Sequence, residues 1–537
     1  GEQIATREET VRSLGDRTVD LLVIGGGIIG TGIARDVARR GLSVALVEQA
    51  DLASGTTSRP TRLIHGGLRY LELFDFGLVR SDMKEREILL RVAPHLVFPL
   101  PFLLPLYRPS LIYRAKLRVG MLLYDLLSLD KSLPKRKWLA RRDALAAEPG
   151  LNPAGLAGAW RFYDAQVPLV ERLVVENALD AAAQGALVLN HARATGYLRD
   201  GDRVTGAQVR DGLGGNDLAI GARYTVNATG AWLDETIAPL RGPAKPLLRL
   251  TKGVHLVTPQ ATEQAHVLFA KRDGRLFFVV PWRDYSIVGT TDTDYNGDPA
   301  AADATEDDVR YLQAEARAAF PNAPFEVIHF TWSGIRALVR VEGVAEGEVS
   351  RKHALYDHQR RDGIAGVLSV IGGKITAYRD IAEEVADRVV QTLGVAARGD
   401  TARAPLPGAG PSVGERATAL GLSAAIVANL IAVYGSLAAR VLDLVAADRS
   451  LAVPLCAHER SIAAELTYVV NDEWAVTLGD ALLRRTGLGL RACQALDCID
   501  GVAERMGALC GWDTARRSAE IDAYRRELAP MRAFTAG

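Results

Sequence analysis

The feature that most restricts this chain is a glycine triplet, Gly25, Gly27 and Gly30, set directly after the aliphatic run Val19-Asp20-Leu21-Leu22-Val23-Ile24. A short run rich in β-branched and aliphatic residues reads as a buried parallel strand. After the triplet, Ala34, Val37 and Ala38 keep helical spacing up to a stop at Gly41, and a second apolar run, residues 43–47, ends at Glu48. Strand, glycine turn, helix and strand within about thirty residues form the βαβ unit of a dinucleotide-binding fold. The glycines let backbone approach a pyrophosphate, whose charge the helix N-terminus stabilises. Glu48 stands eighteen residues beyond Gly30, where its carboxylate can accept from adenosine ribose hydroxyls.

A chain of 537 residues exceeds one compact core, and roughly three or four domains are expected. Lys and Arg (64) balance Asp and Glu (64), so no overall field draws the chain onto nucleic acid. Cys456, Cys493, Cys498 and Cys510 all lie near the C-terminus without the paired spacing of a zinc site. They read as free thiols of a reducing compartment, with no metal expected. Residues 1–20 are rich in Arg and Glu and lack the apolar core of a secretory signal. Nowhere do about eighteen apolar residues run uninterrupted, as spanning a bilayer requires.

Prolines 99, 101 and 105 forbid a single helix across the apolar residues 94–109. Residues 111–129 regain helical periodicity, with Leu111, Leu122, Leu126 and Leu129 on one side. A helix over 173–183 is followed by strand-like segments at 186–189, 203–210, 222–227, 254–258, 276–280 and 286–289. Residues 366–373 repeat the strand-then-glycine pattern ahead of a helix over 376–393. Residues 396–414, rich in Pro and Gly, read as a linker, and residues from 423 on keep helical spacing.

Fingerprints of this type serve NAD as well as FAD. A flavin gains support from two hydroxyl-bearing, glycine-flanked turns after Glu48, residues 54–58 and 63–70. Asn227-Ala228-Thr229-Gly230 ends a strand, and Gly372-Gly373-Lys374-Ile375-Thr376 opens a helix whose N-terminal amides suit a flavin ring or phosphate. Together with Gly289-Thr290-Thr291-Asp292 and Ser333-Gly334-Ile335-Arg336, this pattern resembles the FAD-dependent glycerol-3-phosphate dehydrogenases, within the larger family that includes D-amino acid and sarcosine oxidases. The resemblance runs from about residue 20 to the C-terminus.

The resemblance implies an α/β protein. It has a Rossmann-like FAD-binding domain of the D-amino acid oxidase and glutathione reductase type, an antiparallel-sheet substrate domain and an all-α C-terminal domain. The expected boundaries are 18–90, 150–235 and 355–395 for the FAD domain, and 91–149 with 236–354 for the substrate domain. A linker at 396–414 and a helical domain at 415–537 follow. FAD contacts are implied at Gly25, Gly27, Gly30, Glu48, Thr57, Ser58, Arg62, Leu63, His65, Gly66 and Gly67. Further contacts are implied at Ala194, Ala228, Thr229, Gly230, Gly373, Lys374, Ile375 and Thr376. Departures from the family pattern are Pro60, Arg62 and Ala337.

Glycerol 3-phosphate carries a dianion, so its pocket needs several cations. Arg336, Arg351 and Lys374 match family positions that bind or neutralise the phosphate, and Arg69 with Tyr70 lies on the flavin-proximal loop. His255 is placed by the resemblance to take the C2 hydroxyl proton as hydride leaves for flavin N5, with Arg336 as the rival for polarising that hydroxyl. Between residues 108 and 142, Arg108, Arg114, Lys116, Arg118, Lys131, Lys135, Arg136, Lys137, Arg141 and Arg142 face only Asp125 and Asp130. Apolar side chains and Trp138 are interleaved, which suits an anionic membrane surface. The resemblance therefore implies quinone as electron acceptor and a peripheral site on the cytoplasmic face of the membrane, and it allows a homodimer. The rivals are an oxidase using oxygen, an amine or amino acid oxidase, and a flavin-binding regulator without turnover.

Overall fold

The computed structural model describes residues 3–66, 76–128, 131–340 and 352–535. The chain divides into two compact units, Gly1–Ser58, Leu169–Leu250 and Arg336–Glu527 in the first, and Arg59–Pro168, Thr251–Ile335 and Leu528–Gly537 in the second. These cuts differ from the expected ones. Residues 59–66 and 156–166 supply strands to the second unit's sheet, and the helical residues up to Glu527 join the first unit.

Among the described residues, the first unit carries an eight-stranded sheet. Its centre is parallel, in the order Val367–Ile371, Asp217–Asn227, Val19–Ile24, Val44–Val47 and Leu187–Leu189. Ala354–Asp357 adds an antiparallel edge, and Ala192–Asp200 with Arg203–Asp211 extend Asp217–Asn227 as an antiparallel ribbon. The central strands are buried on both faces, which is why they read as continuous apolar runs instead of alternating ones. Helix Ile28–Arg39 buries every residue except Ile29 and Arg39. A Cβ on Gly32 would meet the Tyr378 ring at 3.0 Å, so this glycine sets how closely helix Tyr378–Leu393 approaches.

Charges in that helix find partners in the segment expected as a linker. Arg35 donates to Asp180 at 2.6 Å and to the Ala404 carbonyl at 2.9 Å, and Thr401 donates to Asp36 at 3.1 Å. Gly408 N donates to Glu176 at 2.6 Å. Residues 396–414 are thus pinned along their length, because buried polar groups must be paired. The helical part is held the same way. Arg172 is bidentate to Glu473 and stacks over Tyr434, and Asp51 accepts from Arg484, Arg485 and Asn190. The helical run Ala424–Ala447 is long and apolar enough to cross a membrane, but Leu430, Val433, Tyr434, Val441, Leu442 and Val445 are buried inside this unit.

The second unit holds a ten-stranded, mostly antiparallel sheet. Its main path runs Thr293–Asp294, Leu248–Pro259, Tyr285–Gly289, Leu276–Trp282, Ala265–Phe269, Phe98–Tyr107, Leu156–Gln166 and Leu63–Ile64. Helix Glu306–Ala319 packs Val309, Leu312 and Ala316 against Val254, Leu256, Phe277 and Val288. The apolar stretch that could not be a helix is strand Phe98–Tyr107. Pro99, Pro101 and Pro105 all take odd positions, so the three missing donors fall on one side of it. The ladder with Leu156–Gln166 stays long, while pairing with Ala265–Phe269 is confined to Phe102 and Leu103.

Removing one partner of a fully buried ion pair leaves the other charge stranded. Glu473→Gln is expected to lower unfolding free energy by about 3–5 kcal/mol through the uncompensated Arg172 guanidinium. Urea unfolding followed by circular dichroism checks this, and a loss within error of zero would refute the role given to the pair.

Candidate active site

The nucleotide cradle of the first unit is built from backbone. Gly25 has φ 118°, and a Cβ there would stand 2.1 Å from the Ala228 carbonyl oxygen. A Cβ on Gly30 would stand 1.8 Å from the Gly25 oxygen. Both obstacles are main chain and cannot move aside as a flexible side chain would. Gly27 is the N-cap of helix Ile28–Arg39 and provides no side-chain cap, and the first turn holds no acidic residue. Thr57 Oγ1 accepts from Ile28 N at 3.2 Å and comes within contact of Gly27. Thr57 thus takes the first N–H of the helix, and no carboxylate in its first turn opposes an anion at the positive end of the dipole.

Glu48 ends strand Val44–Val47, and its carboxylate accepts from Gly26 N at 3.0 Å and Ala50 N at 2.7 Å. Burial pushes this carboxyl above its ordinary value, against those two hydrogen bonds. The Glu48 carbonyl accepts from Ala192 N at 2.8 Å, which starts the strand carrying Ala194 beside it. Ala228 N donates to Ile24 O at 2.8 Å, Thr229 bonds Thr236 through its hydroxyl, and Gly230 has φ 55°. Gly373, with φ 110°, turns against the first helix: a Cβ on it would lie 3.7 Å from Ile29 Cδ1 and 2.7 Å from Ile381 Cδ1. Lys374, Ile375 and Thr376 follow in the turn that leads to helix Tyr378–Leu393, whose N-cap, Ala377, makes no side-chain bond. Two helix N-termini whose N-cap residues make no side-chain bond, together with the Glu48 carboxylate, fit the pyrophosphate and ribose of FAD. Ser58, at the end of this segment, is half-buried and donates to the Gly55 carbonyl.

The second unit gathers a different set. His255, on strand Leu248–Pro259, is only 2% exposed, and its Nε2 lies 2.7 Å from Thr61 Oγ1. Gly289 pairs with it across the ladder, and a Cβ there would fall 2.2 Å from the imidazole. The Trp332 ring lies 5.8 Å from the His255 ring. Arg59 donates to the Ser333 carbonyl at 3.1 Å, and Gly334 lets the two backbones touch. Among the described residues, buried Trp332 Nε1 and Ser333 Oγ have no hydrogen-bond partner. Arg336, at the start of the next stretch of the first unit, is half-buried.

Arg62, expected as an FAD contact, is fully buried in the second unit. Its guanidinium lies over the Trp282 and Trp332 rings, at 5.2 and 4.8 Å, and donates to the Pro168 carbonyl at 3.0 Å. The guanidinium gains cation–π contact from both indoles. Leu63 is buried and paired with Gln166, His65 packs edge-on to Phe278, and Gly66 approaches the Tyr124 hydroxyl and Met83. Gly67, Arg69, Tyr70 and Arg351 lie outside the described residues. Thr61 and Trp332 were not legible as site residues, since their contacts with His255 join positions far apart in the chain. The adjoining turn motifs were the only signal near them.

A parallel sheet with this cradle, joined to an antiparallel-sheet unit, defines the architecture of dinucleotide-binding oxidoreductases. Residues 20–379 match the family described as FAD dependent oxidoreductase, and residues 399–517 match the C-terminal domain of alpha-glycerophosphate oxidase. A glycerol-3-phosphate dehydrogenase of Synechocystis sp. is 36% identical, covering 94% of this chain and 95% of its own. Glycerol-3-phosphate dehydrogenase 2 of Mycobacterium tuberculosis is 37% identical, covering 97% and 90%. The crystal structure of the glycerol-3-phosphate dehydrogenase from Bacillus halodurans complexed with FAD superposes with a TM-score of 0.79 at 28% identity, covering 98% and 97%. The chain belongs to the FAD-dependent oxidoreductases and, within them, to the glycerol-3-phosphate dehydrogenase family.

Gly30→Ala is expected to purify without flavin, because its methyl group would collide with the Gly25 carbonyl of the pyrophosphate turn. The ratio of visible flavin absorbance to protein absorbance measures this. Full flavin occupancy in the variant would show that the turn tolerates a side chain.

Proposed function

We propose that this chain oxidises sn-glycerol 3-phosphate to dihydroxyacetone phosphate and delivers the electrons to membrane quinone. The observation carrying the reading is the similarity to glycerol-3-phosphate dehydrogenases through both the oxidoreductase region and the helical C-terminal region. FAD, when bound, supplies the acceptor for hydride from C2. His255 takes the C2 hydroxyl proton, and Thr61 holds its ring in place. Arg336 and Lys374 oppose the phosphate charge, with Arg69 and Arg351 expected beside them.

Anaerobic mixing with glycerol 3-phosphate is expected to bleach the flavin, while glycerol, which lacks the phosphate, leaves it oxidised. His255→Gln is expected to slow bleaching by about 10²–10⁴-fold at saturating substrate, the range typical of a lost general base. Lys374→Met is expected instead to raise the substrate concentration needed for half-maximal rate. Unaltered bleaching by the His255 variant would remove it from the mechanism, and a flavin that stays oxidised in the parent protein would remove the substrate.

The acceptor side of the proposal rests on helix Leu111–Leu127 in the second unit. It buries only Met121 and Tyr124, and it exposes Leu111 (82%), Ile112 (83%), Val119, Leu122 and Leu126. Arg114, Lys116 and Arg118 lie on the same helix, and Arg114 reaches the Trp138 ring. Exposed apolar side chains beside basic ones suit the cytoplasmic face of an anionic bilayer, where quinone resides. Leu122→Ser with Leu126→Ser is expected to weaken binding to anionic vesicles and slow quinone reduction, with anaerobic bleaching unchanged. Vesicle co-sedimentation and a quinone assay read the two effects, and equal binding by both proteins would move the membrane face elsewhere. The C-terminal match to an oxidase domain keeps oxygen as the competing acceptor, and re-oxidation of bleached protein by air faster than by quinone would favour it.

A further inference from the structure

Three of the four cysteines, unrelated by their spacing, converge in the helical region of the first unit. Cys456 and His458 sit on a tight turn closed by Leu455 N donating to Ser461 O at 2.8 Å, with Pro454 bridged to Ile462. Cys493 and Cys498 sit on a second loop that leads into helix Ile499–Cys510. That loop is shaped by left-handed backbone at Gln494 (φ 49°) and Ala495 (φ 60°), and Tyr524 holds it by donating to the Gln494 carbonyl at 2.6 Å.

The ligand atoms of Cys456, His458 and Cys493 all lie within 4.8 Å of one another. Cys456 Sγ is 3.7 Å from His458 Nε2. In a tetrahedral site with metal–sulfur bonds of about 2.3 Å and metal–nitrogen bonds of about 2.0–2.1 Å, the sulfur–nitrogen edge is about 3.6 Å. Cys498, whose Sγ donates to the Ala495 carbonyl at 3.5 Å, sits close enough to Cys456 and Cys493 for its thiol to interact with both. The Asp497 carboxylate, 3.6 Å from His458 Nε2, adds negative charge at the rim.

We propose that Cys456, His458, Cys493 and Cys498 form a four-ligand structural site for a thiophilic divalent cation of the zinc class. Each thiol loses one proton on binding, and the imidazole binds neutral. The cation staples the 455–461 turn to the 493–498 loop, and no open position remains for catalysis. Cys510, at the end of helix Ile499–Cys510, is outside the cluster.

The test uses the purified flavin-bearing protein, prepared under reductant, stripped with a chelator and titrated anaerobically with Co²⁺. The expected result is saturation at about one equivalent, with a thiolate-to-cobalt charge-transfer band and the intense visible bands of a tetrahedral ion, all displaced by Zn²⁺. Cys510→Ser is expected to keep these bands, and Cys493→Ser and His458→Ala to lose them while retaining flavin. Because the titration is made on the unsubstituted protein, a variant that fails to fold does not decide it. No tetrahedral spectrum in that protein, or loss of the spectrum in Cys510→Ser alone, would overturn the site. A disulfide among Cys456, Cys493 and Cys498 in protein isolated without oxidant would also overturn it, in favour of a redox pair.

Discussion

Much of the first unit depends on a contact between stretches of main chain. Gly25 lies against the Ala228 carbonyl, and Gly30 lies against Gly25, at separations that leave room for hydrogen and nothing larger. That contact closes strand Val19–Ile24 onto strand Asp217–Asn227 and aims helix Ile28–Arg39 at the space beyond the strand ends. A helix start whose N-cap residue makes no side-chain bond is a cost in a protein without an anion and an asset in one that binds a pyrophosphate. Glu48 reaches the same turn from the adjacent strand, and Gly373 meets the start of the helix from a segment more than three hundred residues on.

The helical C-terminal region is tied to this fold by charge as well as by apolar packing. Burying an ion pair is costly, and the cost is offset only when every donor and acceptor is matched. Asp51 meets that condition with Arg484, Arg485 and Asn190, and Glu473 meets it with Arg172. His191 extends the network to Asp480. Burial works against the protonated ring, yet the Asp480 carboxylate holds His191 above its ordinary value. Contacts of this kind have strict geometry, so they bind the two parts in one arrangement where apolar surface alone would accept several.

The parallel strands and the two glycine turns could be read along the chain because their determinants are local: unbroken apolar runs, small residues and helical spacing. The helix at 111–127 was also legible, as was the pairing of its apolar side with basic residues. Periodicity placed Leu111, Leu122 and Leu126 on one side of it, and only the fold shows that this side faces solvent. For Arg62, expected as a cofactor contact, the chain pattern gave no sign of the two indoles and the carbonyl that its guanidinium meets. Residues 396–414 have a linker's composition, yet Arg35, Asp36 and Glu176 hold them down. Composition describes what a segment could do alone and is blind to partners supplied by distant residues.

The sequence by itself determined the dinucleotide-binding turn, the acidic residue that follows it and the order of strands and helices, since each depends on residues within a few turns of one another. Tertiary structure alone decided which side chains meet. His255 finds Thr61 and Trp332, Asp51 finds two consecutive arginines, and Cys456 and His458 find Cys493. Those meetings depend on how strands pair and loops fold back, and the energies that select them come from packing and desolvation across the whole unit. No local pattern encodes them, because the residues involved are neighbours only after the chain has folded.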